Sequence, residues 1–503
     1  MIAPRFARWL VLPAAILASS SPAAAQRPGK PLIEQVARAM GGQDKVLAVR
    51  TVVLEGTGRE YNLGQNAAPD APPIHYEVTA YRRMIDFANR RWRQEYSREP
   101  RFPAGNPAAQ QLRQAYDSVA FDVAADGIPR RSPGRADIDR ADQLLYHPIG
   151  FLQVALAPGT ELTEEKAIGG LRHVRMNAGG NTFAILIDPQ TRLPSRIRRI
   201  IHHPTLGDVT LATQLSDWKR VDGMMLPMRI RQRLDDSVLV SDIRLTSTLV
   251  NADVGDLAAP TSVRSVSPVV AQINVTGQVI APGVWFLAGQ THHSVVIEMR
   301  DHLLLVEAPQ SDARTLAVMR QARTLGSGKP LRAVITTHHH FDHIGGVRAA
   351  IAEGLTVITH SRNVAFFEKL ARRRHVIVAD TLARAPRPAR VEGVATKRVL
   401  TDSVRMVEIH HVRGNPHSES MLMVYLPADK LVIEADVYTP PAADATTRPR
   451  APFAANLVDN IDQLGLQVDY VVPLHGRIVP MSDLRAAADA SRASPAPPAP
   501  PPR

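Results

Sequence analysis

No cysteine occurs among the 503 residues of this chain. That excludes disulfides, thiol nucleophiles and thiolate metal ligands, so any metal must be held by imidazole and carboxylate. Beyond the N-terminus the chain also lacks an apolar run of the roughly 20 residues needed to cross a bilayer. Acidic residues are in deficit, with 48 Asp and Glu against 60 Lys and Arg and a formal charge of +12. Such a balance points to nucleic acid or to an anionic membrane surface, and the N-terminus decides between them. Arg5 and Arg8 form a basic start, Trp9 to Ala18 a short apolar stretch, and Ala23-Ala24-Ala25 a small-residue cleavage site before Gln26. This reads as a secretory signal peptide over residues 1–25, too short for a comfortable span. With no cysteine after the apolar stretch, lipid attachment at the cleavage site is excluded. The expectation is an exported protein, periplasmic or secreted, with no integral membrane segment after cleavage and no nucleic-acid partner. Loss of the two leader arginines takes the charge to +10, which keeps attraction to envelope anions open.

With 45% hydrophobic residues the chain can bury substantial cores, and its length favours two or more domains. Leu32 to Ala48 has helical spacing, with Gly41-Gly42 weakening its middle or ending it early. From Thr51 the pattern turns to strands, interrupted by a Pro/Asn/Gly-rich loop before His75. Arg91 to Tyr96 alternates as a half-exposed strand with a solvated arginine face, a better reading than a basic–aromatic nucleic-acid surface. Leu144 to Leu156 is apolar enough for a helix or a segment covering a sheet. Then Phe183 to Leu245 runs as a meander with turns at Asp188-Pro189, Pro204 to Asp208, Asp222-Gly223 and Asp235-Asp236, which predicts a curved antiparallel sheet. His202-His203 reads as a surface pair at a strand end. The helix-then-meander order resembles the periplasmic lipoprotein-carrier family in architecture.

The second half alternates differently. Short apolar strands at Gly283 to Ala288, Ser294 to Met299, Leu303 to Glu307, Met406 to His410, Met421 to Leu426, Leu431 to Ala435 and Tyr470 to Val472 are interleaved with helical stretches, among them a basic one from Arg362 to Arg374. That pattern predicts a layered α/β domain. The expected organisation is a signal peptide (1–25), an antiparallel β-rich domain (26–250), an Ala/Pro/Ser-rich linker (251–268), an α/β domain (269–493) and a Pro-rich disordered tail (494–503).

The chemistry is concentrated in AVITTHHHFDHIGG, Ala333 to Gly346. The β-branched run Ala333 to Thr337 reads as a buried strand that delivers His338, His340, Asp342 and His343 at its carboxyl end. Alternate residues of extended backbone point the same way, so His338 and His340 can grip one ion. Asp342 and His343 lie where the chain turns into a helix and can face a second ion alongside. Three further candidates stand at ends of elements: His417 in GNPHS, Asp436 after LVIEA, and His475 in PLHG. Each alone is weak. Together they make seven ligands beside strand termini, the number and placement a two-metal site needs.

The ordered motifs HHHFDH, GNPHS, LVIEAD and PLHG resemble those of the metallo-β-lactamase superfamily, over residues from about 275 to 490. The fold implied is an αβ/βα sandwich, preceded here by the antiparallel β-rich domain. Glu307 stands where many members carry aspartate. The resemblance implies His338, His340 and His417 on one metal, Asp342, His343 and His475 on a second, and Asp436 bridging. Two zinc ions are favoured, since zinc suits imidazole plus carboxylate; iron and manganese accept the same donors. Two cations about 3.5–4 Å apart share a water, lower its pKa towards neutrality and polarise a carbonyl. Asp342 would then be the catalytic side chain, orienting the bridging hydroxide and shuttling its proton.

Departures from known branches narrow the substrate. His340 stands where the flavodiiron branch carries glutamate. Asp436 stands where a major class of β-lactamases has cysteine, and Thr439 where that class has a drug-binding lysine. The aspartate resembles the thioesterase, lactonase and general hydrolase branches. The expectation is therefore a hydrolase acting on an ester, thioester, lactone or amide of a small molecule, hydrophobic ones included, with β-lactam cleavage as the alternative. An alternative of another class is a lipid- or envelope-ligand-binding protein in which the metal domain is secondary. His293, His411 and Tyr438 are candidates for supporting the ligands from outside, as are His292 and His410. The bland reading of each histidine is an ordinary polar loop position, and of Tyr438 a packed aromatic.

Overall fold

The computed structural model describes residues 27–102, 108–268, 272–445 and 450–493. The expected signal peptide and Pro-rich tail lie outside the described residues.

Among the described residues the first half builds one fourteen-stranded antiparallel sheet. One meander runs from Leu162–Ile168 to Val238–Val250 and a second from Thr51–Tyr61 to Pro129–Arg131. They join where Val250 lies opposite Val52. The sheet curls around the helices Lys30–Ala39, Gln43–Ala48 and Pro148–Leu156. The helical spacing of 32–48 is thus split in two, because Gly41 and Gly42 adopt φ of 122° and 116°, which no helix accommodates. Leu32, Ile33, Val36, Ile149, Phe151 and Leu152 are buried against the concave face. Trp92 and Tyr96 of the Arg91–Pro100 strand are buried with them, and Trp92 Nε1 donates to the Arg140 carbonyl at 2.9 Å. Their arginine neighbours pack as a strand's wetter face, with Arg98 over the Tyr76 ring and 2.9 Å from Glu60.

The stretch expected to be a linker lies along this sheet. Leu257 packs on Val53 and Met84, and Ala259 and Val263 pack on Ala115 and Phe121. The Ala259 N–H donates to Asp117 Oδ2 at 2.9 Å.

The second half is an αβ/βα sandwich. A seven-stranded sheet from Thr276–Ala281 to Val391–Val394 faces a six-stranded sheet from Lys397–Thr401 to Val479–Pro480. Val295, Ile297, Val306 and Ile335 of one meet Ile409, Val424, Ile433 and Val472 of the other in a dry core. Helix Asp312–Arg323 covers the outer face of the first sheet, and helices Ala454–Gln463 and Met481–Ala493 cover that of the second. Among the described residues no helix is long and apolar enough to cross a membrane.

Strand direction places the site. Leu303–Val306, Leu331–Ile335 and Thr356–His360 run parallel to one another, and Leu431–Glu434 runs parallel to Tyr470–Pro473. Their carboxyl ends gather on one rim, where ligands of α/β sheets collect. Ser294–Glu298 and Leu422–Leu426 are antiparallel to these neighbours, so the residues just before them reach the same rim.

The two halves touch at this rim and beside it. The Phe341 N–H donates to the Gly64 carbonyl at 3.2 Å, and the Glu419 N–H to the Ala67 carbonyl at 2.8 Å. Gly64 has φ of 71°, and a Cβ there would sit 2.2 Å from the Phe341 ring, so glycine is required for the approach. The expected surface pair His202-His203 is a correction. His203 packs edge-on to Phe341 and its Nδ1 accepts the N–H groups of Thr205 and Leu206, while His202 faces His375. Both are half-buried because the strand end abuts the second half rather than water.

Candidate metal centre

Two groups of four potential ligands lie together at the rim. His338, His340, His417 and Asp436 form one; His292, Asp342, His343 and His475 form the other. Within each group the ligand atoms lie within 4.8 Å of one another. All seven residues expected to be metal ligands are therefore brought together, and His292 joins them.

Asp436 sits between the groups. Its Oδ2 lies 3.3 Å from His338 Nε2, 3.0 Å from His343 Nε2 and 3.0 Å from His417 Nε2, and its Oδ1 lies 2.8 Å from His475 Nε2. Asp436 has φ of 62° and Glu307 has φ of 72°. Left-handed backbone at non-glycine residues is costly and collects where surroundings demand it. Here it ends two parallel strands abruptly and turns both carboxylates inward.

The fit to metal can be tested from the outer hydrogen bonds, which decide the nitrogen each ring offers. His340 Nε2–H donates to the Asn66 carbonyl at 2.9 Å, leaving Nδ1 buried without a partner among the described residues. His475 Nδ1–H donates to the Thr291 carbonyl at 2.8 Å. His343 Nδ1 lies 3.2 Å from Glu307 Oε2, and Glu307 Oε1 accepts the Thr337 N–H at 2.6 Å. His338 Nδ1 lies 2.9 Å from Thr337 Oγ1. His343 and His475 thus turn their Nε2 atoms towards each other, 3.1 Å apart, and towards one carboxylate. Facing nitrogens beside an anion need a cation or a proton between them. The donor set, imidazole nitrogen plus carboxylate oxygen, fits divalent metal of the zinc kind.

The electrostatics divide the rings. Burial, reinforced by the charge of His343, pushes His338 down to about 3 despite Asp436 beside it. His340 is held well below the ordinary histidine range, again chiefly by burial. Both rings are thereby biased towards the neutral form that can ligate a metal. Burial also works against charge on His343, but Asp436 and Glu307 outweigh it and raise that ring well above the usual value. Burial would raise Asp436, yet the histidines around it, His343 first, hold it well below the usual carboxylate range.

From sequence His292 is only an outer candidate, and its hydrogen bonds say how it acts. Its Nδ1 accepts from Gln310 Nε2 at 3.2 Å and lies 2.9 Å from Thr291 Oγ1, which leaves Nε2–H to donate to Asp342 Oδ2 at 3.2 Å. That pattern orients Asp342 rather than offering a lone pair. Gln65 Nε2, from the first half, donates to Asp342 Oδ1 at 2.8 Å. Sequence reasoning misses Gln65 and Asn66. Their one signal is a polar loop after a strand, and nothing local says that it crosses to residues more than 270 positions away.

Two candidates are corrected, and a third braces the site from outside. The His293 ring lies 4.8 Å from Phe286 and its Nδ1 accepts the Gly289 N–H, while its backbone N–H donates to the Leu474 carbonyl at 2.9 Å and its ring hydrogen-bonds the Gly476 backbone, on either side of His475. In the extended turn before Ser294 neighbouring side chains point opposite ways, so His292 and His293 cannot both face the rim. His411 Nε2–H donates to the Glu419 carbonyl and its ring stacks near His360. Tyr438 is buried in the apolar cluster under helix Ala454–Gln463, as a packed aromatic.

A cavity of about 520 Å³ opens over the centre, walled by both halves. Ile74 and Phe102 come from the first, Pro416, Val437 and Phe453 from the second, with Asp342, His417, Asp436 and His475 at its floor.

Known proteins resemble the same part of the chain. Residues 289–475 match the family model of the metallo-beta-lactamase superfamily, and the C-terminal half of the chain belongs to that superfamily. The linear primary-alkylsulfatase of Pseudomonas sp. (strain ATCC 19151) is 25% identical over a stretch covering 37% of this chain and 41% of that enzyme. The chain thus spans about two-fifths of the length of that relative. Similar solved structures include the metallo-beta-lactamase DIM-1, at 14% identity and a TM-score of 0.34, covering 44% of this chain and 100% of that one. The metallo-beta-lactamase of Pontibacter korlensis matches at 17% identity and a TM-score of 0.34, covering 44% and 99%.

Proposed function

We propose that the protein is an exported hydrolase that uses two metal ions, zinc by preference, to cleave an ester, thioester, lactone or amide of a small apolar substrate. The observation that carries this reading is Asp436, whose carboxylate is within 3.3 Å of ring nitrogens from both ligand groups. In this reading His338, His340 and His417 would hold one ion and Asp342, His343 and His475 the other, with the Asp436 carboxylate serving both. Zinc bound there supplies Lewis acidity, which acidifies water and polarises a carbonyl at neutral pH. The chain does the rest. Asp342, fixed from two sides by Gln65 and His292, takes the proton given up by the attacking water and passes it on. Ile74, Phe102, Val437 and Phe453 hold the substrate's apolar part and exclude bulk water. Export rests on the Arg5/Arg8 start, the apolar stretch after it and the Ala23-Ala24-Ala25 site.

Metal analysis joined to a substrate screen tests this. Purified protein should carry close to two metal ions, and chelation should abolish hydrolysis of p-nitrophenyl esters, with recovery on adding zinc back. Ligand-intact protein that takes up no metal would sink the reading. The alkylsulfatase likeness favours a second reading, sulfate-ester hydrolysis, so an alkyl sulfate belongs in the same screen, beside nitrocefin and a carbapenem.

Gln65 gives a test of the part played by the first half. Gln65→Ala removes a hydrogen bond to an ionised carboxylate, so kcat/KM should fall about tenfold or more. Metal content should stay the same, because Asp342 keeps His343 and His475 beside it. An unchanged rate would reduce Gln65 to a wall of the cavity.

A further inference from the structure

The rings of the centre are steered from outside, with one exception. His338, His340, His343 and His475 each have an outer nitrogen within hydrogen-bond distance of the chain, at Thr337 Oγ1, the Asn66 carbonyl, Glu307 Oε2 and the Thr291 carbonyl. His417 points Nε2 at Asp436 Oδ2, 3.0 Å away, and its Nδ1 has no hydrogen-bond partner among the described residues. Its ring touches that of Phe453, with centroids 5.5 Å apart. Its hydrogen bonds to the chain on the outer side are made by its backbone instead.

The loop that carries it shows how. His417 lies between strands Met406–His411 and Leu422–Leu426, outside any ladder. Pro416 has no N–H, so the first two donors after Asn415 are those of His417 and Ser418. Both go to one atom: Asn415 Oδ1 accepts the His417 N–H at 2.9 Å and the Ser418 N–H at 3.3 Å. This is the side-chain-to-backbone closure by which asparagine fixes a turn. Asn415 and Ser418 are both buried, so bulk water does not replace these bonds.

The other end of the side chain is anchored as well. Asn415 Nδ2 donates to Asn456 Oδ1 at 3.0 Å, and Asn456 Nδ2 donates to the Arg413 carbonyl at 2.9 Å. Asn460 Oδ1 accepts the Arg413 N–H at 2.8 Å, and its Nδ2 donates to the same carbonyl at 3.1 Å. Asn456 and Asn460 share one face of helix Ala454–Gln463. The backbone groups fix every amide in this chain of bonds, since an N–H must meet oxygen and a carbonyl must meet nitrogen. Arg413 to Ser418 is thus tied to a single rigid element by three neutral side chains.

We propose that Asn415 is a positioning residue for the metal centre, one that sets where His417 Nε2 stands beside Asp436 by fixing the backbone from Pro416 to Ser418. Asn456 and Asn460 hold that loop on the helix. The proposal rests on the reading of His417 as a ligand of one of two ions. It involves no charge, because every side chain in the network is an amide. The same helix follows directly on Phe453, a wall of the substrate cavity, so one element sets both a ligand and a wall.

Chelator competition on the zinc-loaded full chain tests it, read as two dissociation steps. Asn415→Ala leaves all seven ligands in place, yet one of the two ions should bind about 10- to 100-fold more weakly while the other keeps its wild-type affinity. Asn415→Asp keeps an oxygen for both N–H groups and should recover most of the loss. Asn456→Ala cuts only a tie to the helix and should give a smaller loss than Asn415→Ala. With cobalt in place of zinc, the visible absorption should shift in Asn415→Ala and move back towards wild type in Asn415→Asp. Leu484→Ala opens the apolar cluster beneath the neighbouring helix Met481–Ala493 without touching the loop. It should lower the thermal midpoint and leave both affinities and the cobalt spectrum as in wild type, which separates positioning from a general loss of stability. Wild-type affinities and spectrum in Asn415→Ala would overturn the proposal and leave the two-metal reading standing. The same weakening of both ions in Asn415→Ala and Leu484→Ala would overturn it too, by making Asn415 a purely structural residue. A wild-type chain that takes up no metal would remove the two-metal reading, and this proposal with it.

Discussion

Asp436→Asn is expected to lower hydrolysis by about a thousandfold or more and to cut metal content from two ions per chain towards one. Asparagine keeps the size of the side chain and tolerates the left-handed φ of 62° at this position, so the backbone that ends strand Leu431–Glu434 survives. What is lost is the negative charge. Four ring nitrogens, from His338, His343, His417 and His475, converge on that carboxylate. A neutral amide offers one weaker acceptor and an NH₂ that cannot ligate, so the two ligand groups lose the anion they share. Metal content by mass spectrometry and the rate on whichever ester the wild type cleaves check the result. Wild-type metal content with near wild-type activity would remove Asp436 from the centre.

Glu307→Gln carries the second large effect, although Glu307 touches neither cavity nor substrate. It is fully buried and holds two groups at once, the Thr337 N–H and the His343 ring. Both are donors when His343 offers Nε2 inward. An amide has one oxygen, so whichever way the substituted side chain turns, an NH₂ faces one of these donors. Either the Thr337 N–H is left buried without an acceptor, at about 1–3 kcal/mol, or His343 switches tautomer and withdraws its Nε2 lone pair. Metal affinity should fall about 10- to 100-fold, the usual size for a lost outer partner. Chelator competition measures this, and a drop in the thermal midpoint accompanies it. Glu307→Asp, which restores the charge one methylene shorter, should recover part of the affinity. Equal affinity in Glu307→Gln and wild type would show that His343 is not held through Glu307.

Much of the centre is legible because its ligands are locally encoded. His338, His340, Asp342 and His343 lie within six residues at the end of one strand, where backbone geometry alone sets their relative positions. His417, Asp436 and His475 follow apolar or turn signals that mark strand ends, and the order of the motifs carries the rest. Glycine pairs are equally readable: Gly41-Gly42 splits the first helix, and Gly345-Gly346 lets the metal loop pack where a Cβ on Gly346 would sit 2.0 Å from Thr315 Oγ1. Less legible are the sheet edges. Thr276–Ala281, Val391–Val394 and Lys397–Thr401 carry mostly exposed, half-polar residues, and an edge strand shows little of the apolar pattern that identifies a buried one.

The choice between His292 and His293 cannot be made from sequence, since both precede the same strand. It is settled by the register of Ser294–Glu298, in which Val295 lies opposite Val306 and brings His292 to the rim. Gln65 and Asn66 are hidden for a stronger reason. Their contacts with Asp342 and His340 depend on how the first sheet is docked against the second half, through Gly64 on Phe341 and Asp208 on Arg374. Residue types and local spacing determined the donor chemistry, the layered α/β class and the first four candidate ligands, because those follow from periodicity and from bonds between near neighbours, and the resemblance carried by the ordered motifs implied the αβ/βα arrangement. Tertiary structure alone decided which nitrogen each histidine turns inward, and that the first half supplies a wall and a hydrogen bond to the site. Those depend on contacts between residues far apart in sequence, which local spacing does not encode.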